Sequence, residues 1–118
     1  MSLRLKRAYL PPAPADGQRV LVDRLWPRNL RKDDAAIDLW LKEVAPGAGL
    51  RRWFGHDQGR WNEFRRRYQL ELAERSDVLR DLAGTARGGE LTLIYAARDE
   101  LHNHALILGE AVARVLNE

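Results

Sequence analysis

The chain has 118 residues, no cysteine, 45% apolar and 31% charged residues, and a formal net charge of +3. That length fits one globular domain spanning 1–118, since domains cluster near roughly 100–150 residues, and the missing cysteine excludes a disulfide scaffold, a thiol nucleophile and a thiolate metal site. No run approaches about 18 uninterrupted apolar residues, which excludes a helical membrane span; the start MSLRLKRAYL has no apolar signal core, so the expected compartment is the cytoplasm.

In chain order, residues 3–9 (LRLKRAY) alternate apolar and basic and predict a half-buried strand. The run Pro11-Pro12-Ala13-Pro14 ends it, and Asp16-Gly17 predicts a turn. Residues 18–25 (QRVLVDRL) predict a second strand, stopped at Trp26-Pro27 because the residue before proline is held extended. A helix is expected from Asp33 or Asp34, burying Ile37, Trp40, Leu41 and Val44, with Pro46-Gly47 as its stop.

Leu50 to Phe54 predict a short helical turn ending at Gly55. Asp57 is a candidate N-cap for a long helix with Trp61, Phe64, Tyr68 and Leu72 on one face. Ser76 is a candidate cap for a further segment bearing Leu79 and Leu82, and Gly88-Gly89 marks a loop. Residues 90–97 (ELTLIYAA) are the most strand-like run, and a last helix carries Leu108, Ala111, Val112 and Val115 inward. The expected fold is a small α/β domain: a short, largely parallel central sheet of about three strands covered by helices.

Three constellations carry polar chemistry. The first is Asp23-Arg24-Leu25-Trp26-Pro27-Arg28, at a strand end, where open α/β sheets place their ligands. Arg24 and Arg28 are candidate anion-binding groups with Trp26 as a stacking plate; the alternative is an Asp23–Arg bridge that locks the loop, with Trp26 in the core.

The second is Arg51-Arg52-Trp53-Phe54-Gly55-His56-Asp57 with Arg60, Trp61, Arg65, Arg66 and Arg67. Interleaved Arg and aromatic residues suit stacking and backbone contact with nucleic acid, or form a solvated helix face. His56 beside Asp57 is a candidate general base, or one half of a helix-start hydrogen bond. Residues 1–31 and 51–67 carry local charges of +5 and +4, separated by an acidic stretch of −2, and 17 of the 20 basic residues are Arg. Guanidinium favours planar, bidentate contact with phosphate or carboxylate.

The third, Tyr95-Ala96-Ala97-Arg98-Asp99-Glu100-Leu101-His102-Asn103-His104, joins a buried strand to a helix expected to open near His102. Free N–H groups at a helix start attract anions. Arg98, Asn103 and Tyr95 are candidate ligand-binding residues, and His102, His56 and Asp99 are candidate catalytic groups. Asp99 equally suits a helix cap or a partner for Arg98. His102 and His104, two apart, would point about 200° apart on a helix. No metal or cofactor is therefore expected.

Read together, Lys6-Arg7-Ala8-Tyr9, DGQRVLVDRLWPRN at 16–29, WLKEVAP at 40–46, LRRWFGHD at 50–57, RWNEFRRRYQLEL at 60–72 and LIYAARDELHNHALIL at 93–108 resemble the YeaO-like branch of the DUF 488 family. The resemblance covers nearly the whole chain and implies a small cytoplasmic α/β domain without a defined biochemical activity. Two positions depart from the branch: Asn29 stands where Gly is usual after Trp-Pro-Arg, and Gln58 where Pro often follows His-Asp. The broader family often carries Cys at the end of the last strand and Cys-His-Arg at the following helix. The corresponding places here resemble Tyr95 and Leu101-His102-Asn103, so thiol chemistry does not transfer.

Three functions are consistent with these residues. The first is binding of a small anionic ligand, phosphate- or carboxylate-bearing, with or without catalysis. It requires Arg28 and Arg98 to share a cleft. The second is a nucleic-acid-binding or regulatory module using the Arg-rich blocks. The third is a non-catalytic interaction subunit, favoured if the Trp residues form an exposed apolar patch.

Overall fold

Four strands and five α-helices are distributed along the chain, which the computed structural model describes over residues 2–118. The strands are β1 (Ser2–Arg7), β2 (Gln18–Leu21), β3 (Leu39–Trp40) and β4 (Glu90–Tyr95). The helices are α1 (Lys32–Ala35), α2 (Ala48–Phe54), α3 (Trp61–Ala73), α4 (Ser76–Gly88) and α5 (His104–Leu116). The sheet order is β1-β4-β2-β3, and every pairing is parallel.

The apolar run of β4 explains its central place. Leu91 to Tyr95 are all buried, because β4 pairs with β1 on one side and β2 on the other, and its faces meet two separate cores. On one face Val20, Leu91 and Leu93 pack with Phe64, Tyr68 and Leu72 of α3, Leu79, Leu82 and Ala86 of α4, and Ile107, Leu108, Ala111 and Val112 of α5. These side chains recur at helical spacing, so each helix turns one apolar stripe to the sheet. On the other face Leu21, Ile94 and Ala8 are covered by Trp26, Leu30, Ile37 and Trp40, from loops and the edge strand.

β3 is a strand beyond the three expected, and it interrupts the helix expected from Asp33 or Asp34 to Val44. α1 stops after Ala35, and Ala36 turns left-handed at φ 50°. Asp38 then accepts from Arg19 N at 2.8 Å and donates its own N–H to Arg19 O at 2.9 Å, and Leu41 N donates to Leu21 O at 2.9 Å. The exposed edge of β2 supplies these partners, so long-range pairing overrides local periodicity. The stripe still buries: Ile37 and Trp40 pack on the second core, and Val44, in the 3-10 turn Lys42–Val44, reaches the first.

Smaller corrections follow the same logic. Strand β2 ends at Leu21, short of residue 25, and helix α4 begins at Ser76 with Arg75 in the cap position, so Ser76 is not the cap. Asp57 caps the 3-10 turn Gln58–Arg60 that leads into α3, accepting from Gly59 N at 2.9 Å. Helix α5 opens at His104 rather than near His102, with Asn103 as its cap.

One buried ionic cluster anchors the proline-rich loop. Asp16 accepts from Lys6 Nζ at 3.0 Å, Arg19 Nη1 at 2.6 Å and Ala13 N at 3.0 Å. Arg19 also donates to Ala36 O at 3.1 Å and Ala35 O at 2.8 Å, closing the end of α1. Gly17 sits at φ +62°, where a Cβ would lie 2.4 Å from Glu90 O, so only glycine lets the loop enter β2 beside β4.

Candidate functional site

Parallel strands direct their carboxyl ends to one edge of the sheet, and the segments leaving β1, β2 and β4 there surround a cavity of about 890 Å³. Its wall includes Arg7 at the end of β1 and Tyr9 just after it, Asp23 to Asn29 after β2, and Ala96 to Arg98 after β4. The rest of the wall is formed by Ala45 and Pro46, Arg51 and Phe54 of α2, His56, Phe64 of α3, and His102 to His104. The volume lies within the range of about 300–1,000 Å³ common for small-molecule sites.

Five arginines line this space, and their commitments differ. Arg7 is committed: Nε donates to Ala97 O at 3.0 Å and Nη2 to Ala96 O at 3.4 Å, which fixes the loop after β4. Arg24 makes two long contacts of 3.4 Å to Pro46 O. The guanidinium groups of Arg28, Arg51 and Arg98 have no hydrogen-bond or ion-pair partner among the described residues.

The one carboxylate on the wall is Asp23. Its Oδ2 accepts from Ala96 N at 3.0 Å, and Oδ1 faces His104 Nε2 at 3.3 Å. The alternative of an Asp23–Arg bridge is therefore not realised. His104 Nε2 lies 3.0 Å from Val22 O, which can only accept, so this nitrogen carries the proton. Burial pushes the Asp23 carboxyl above the ordinary Asp range, opposed by His104, the Ala96 N–H and the charge of Arg51. Burial also pushes the His104 imidazole down, against the pull of Asp23, which favours a neutral ring.

His102 has the opposite tautomer. It lies in the turn before α5, with Nδ1 3.1 Å from Asp99 Oδ2. Asp99 also accepts from Leu101 N at 2.9 Å, His102 N at 3.0 Å and Gln58 Nε2 at 2.9 Å. These bonds, the Leu101 N–H foremost, hold the Asp99 carboxyl below the usual range. An ionised Asp99 can only accept, so Nδ1 carries a proton, and in the neutral ring His102 Nε2 is then the acceptor.

Of the residues singled out in the sequence, Arg24, Trp26, Arg28, His56, Arg98, His102 and Asn103 line the cavity, so Arg28 and Arg98 do share a cleft. Asn103 is a structural cap there: Oδ1 accepts from Leu106 N at 3.2 Å and Nδ2 donates to Asp99 O at 2.9 Å. Tyr95 is buried and is not on the cavity wall, and Asp99 stands behind His102. His56 is exposed at φ 58° and is not oriented by Asp57, whose carboxylate caps Gly59 instead. Trp26 packs edge-on against Trp40 at 5.5 Å and donates Nε1–H to Leu30 O at 2.7 Å. All four Trp residues are partly buried, so they form no exposed apolar patch.

Sequence reasoning did not assign Asp23, His104, Arg7 and Arg51 to the site. Arg51 belonged to the second Arg-rich block and Arg7 to the first strand, and only the fold brings them together. Among the described residues no group of three or more His, Cys, Asp or Glu is arranged to hold a metal ion, and no helix is long and apolar enough to cross a membrane.

Fold and site define a parallel α/β protein with an arginine-lined cavity at the carboxyl ends of its strands. The chain belongs to the family described as the inactive DUF488-N3 subclade, whose model matches residues 2–118. It is 42% identical over 110 residues to the uncharacterized protein YeaO of Escherichia coli (strain K12), covering 93% of this chain and 96% of that protein. It is also 42% identical over 108 residues to the uncharacterized protein Rv3073c of Mycobacterium tuberculosis (strain ATCC 25618 / H37Rv), covering 92% and 91%. No solved structure matches this chain.

Proposed function

We propose that the strand-end cavity binds a small anionic ligand bearing a phosphate or carboxylate group. Arg28, Arg51 and Arg98 meet the charge, while Trp26, Pro27, Phe54 and Phe64 wall its apolar body. The observation that carries this reading is the set of three lining guanidiniums, none of which makes a hydrogen bond or contact ion pair with the described residues, although Arg51 acts on Asp23 at longer range. Unpaired like charges in one recess repel one another, and an anion relieves that repulsion with charge-assisted hydrogen bonds.

The nucleic-acid reading is weakened by the second Arg-rich block. Arg66 and Arg67 bond Glu63, Arg65 pairs with Glu110, and Arg60 donates to Trp53 O. A second reading, acid–base catalysis by His102, is favoured by the Asp99 contact that leaves Nε2 as an acceptor at the cavity. The description of the family as inactive favours binding without turnover.

Calorimetric titration with phenyl phosphate, with inorganic phosphate and citrate as comparators, tests the reading. Saturable binding weakened about ten-fold or more by Arg98→Ala is expected, since a charge-assisted bond contributes roughly 1.5–3 kcal/mol. Absence of binding by all three anions, or equal binding by Arg98→Ala, contradicts it.

A further inference from the structure

The rim of the cavity is apolar in a way that neither core requires. Among the described residues six large apolar side chains are exposed, and four, Tyr9, Leu10, Leu25 and Leu101, belong to segments that frame the cavity. Leu101 is 76% exposed and Leu25 is 60% exposed, and neither joins a core cluster. Exposed apolar groups gathered at one place on a surface mark interaction sites, whereas scattered ones do not.

The same rim is held in place. The Tyr9 hydroxyl donates to Arg28 O at 2.8 Å, tying the segment after β1 to the loop after β2. Asp99 holds the Leu101 and His102 N–H groups at 2.9 and 3.0 Å, so the turn that presents Leu101 is fixed. A prearranged surface costs less ordering entropy on binding. Arg28 and Arg98, both exposed and unpaired, stand at its cationic positions.

We propose that this rim docks a segment of a partner protein, with one acidic side chain entering the cavity and apolar neighbours lying on Leu25, Leu101 and Tyr9. The proposal rests on the anion-binding reading and names what carries the anion. A free small ligand would be enclosed by the cavity wall and leave Leu101, outside that wall, uncovered. An anionic membrane is disfavoured because Asp99 and Glu100 share the turn of Leu101 and would repel it. A segment with a single acidic group meets the two arginines and avoids both carboxylates.

The test is selection of a displayed random-peptide library on the wild-type protein, followed by affinity measurements with the enriched peptides and, separately, with phenyl phosphate. The expected consensus holds one Asp or Glu flanked by apolar residues. Leu25→Asp and Leu101→Asp should each weaken the peptides about ten-fold or more, as truncation of a central contact does, and Leu101→Thr, outside the cavity wall, should leave phenyl phosphate affinity unchanged. Arg98→Ala should weaken both. Circular dichroism spectra matching wild type separate lost binding from lost folding, and Leu25→Thr and Leu101→Thr replace any Asp variant that fails to fold. No enriched consensus, a consensus without an acidic residue, or peptides indifferent to Leu25 and Leu101 overturns the docking proposal. Phenyl phosphate indifferent to Arg98 overturns the anion reading instead. A dimer at micromolar concentration that dissociates in the Leu101 variant would place a second copy on the rim and also overturn the proposal.

Discussion

Two arginine-rich regions of this protein share a residue type and little else. On α3, Arg66 and Arg67 grip Glu63, pulling its carboxyl down to about 2, and Arg67 lies 4.3 Å over the Trp53 ring. Arg65 reaches Glu110 on α5 and stacks 5.4 Å over Trp61. Around the cavity, Arg28, Arg51 and Arg98 line a recess whose one wall carboxylate among the described residues, Asp23, is engaged by Ala96 N, faces His104 and feels the charge of Arg51 alone among the three. A count of basic residues places both regions among anion-binding candidates. The partner of each guanidinium separates them: the helix face is internally neutralised and the cavity is not.

The largest effect that sharpens this contrast lies at a third, fully committed arginine. Arg19→Ala removes the bonds to Asp16, Ala35 O and Ala36 O and leaves buried Asp16 with Lys6 as its remaining cation, beside the Ala13 N–H. Urea unfolding should show a loss of about 3–5 kcal/mol, as for other broken buried pairs. Arg98→Ala, by contrast, should change stability by less than about 0.5 kcal/mol, as for surface substitutions generally, because nothing in the fold relies on its guanidinium. Equal losses for the two variants would erase the distinction between committed and uncommitted cations.

A smaller effect comes from the His104 imidazole in the cavity wall. Burial lowers its pKa, so below about 6.5, the ordinary His value, the unfolded chain takes up this proton before the folded one does. The His104 contribution to stability is therefore lost as pH falls from 7.5 to 5.5. Asp23 acts in the opposite sense, since its raised pKa rewards acid in the folded state. Urea midpoints at the two pH values should show a flatter dependence in His104→Gln than in wild type; an unchanged slope means that His104 does not titrate differently on folding. The smallest effect is expected from Glu63→Gln, which frees Arg66 and Arg67. It should leave phenyl phosphate affinity unchanged while increasing salt-sensitive retention on heparin, and unchanged retention would mean that Glu63 does not mask those arginines.

Much of the fold was legible because local pattern and tertiary burial agree. The apolar run Leu91 to Tyr95 occupies the sheet centre, and Phe64, Tyr68 and Leu72 face the core as their spacing demands. Strand β3 was not legible, since Ile37, Trp40, Leu41 and Val44 satisfy a helical period while Asp38 is captured by Arg19, 19 residues away. The strand-end rule located the segments that line the cavity. It did not tell which arginines are free, because that depends on partners as distant as Glu110 from Arg65, 45 residues apart. The Asp23–His104 approach and the Val22 carbonyl behind it, 82 residues from His104, lie equally beyond local pattern.

Under the anion-binding proposal, unpaired guanidiniums around the cavity, and not the Arg-rich helix face, hold the ligand. The dissociation constant of phenyl phosphate, measured on two triple variants, tests it most directly. Arg28→Gln/Arg51→Gln/Arg98→Gln should bind too weakly to measure, while Arg60→Gln/Arg65→Gln/Arg67→Gln should stay within about two-fold of wild type, a difference of roughly 0.4 kcal/mol. Loss of binding in the helix variant with retention in the cavity variant would contradict the account.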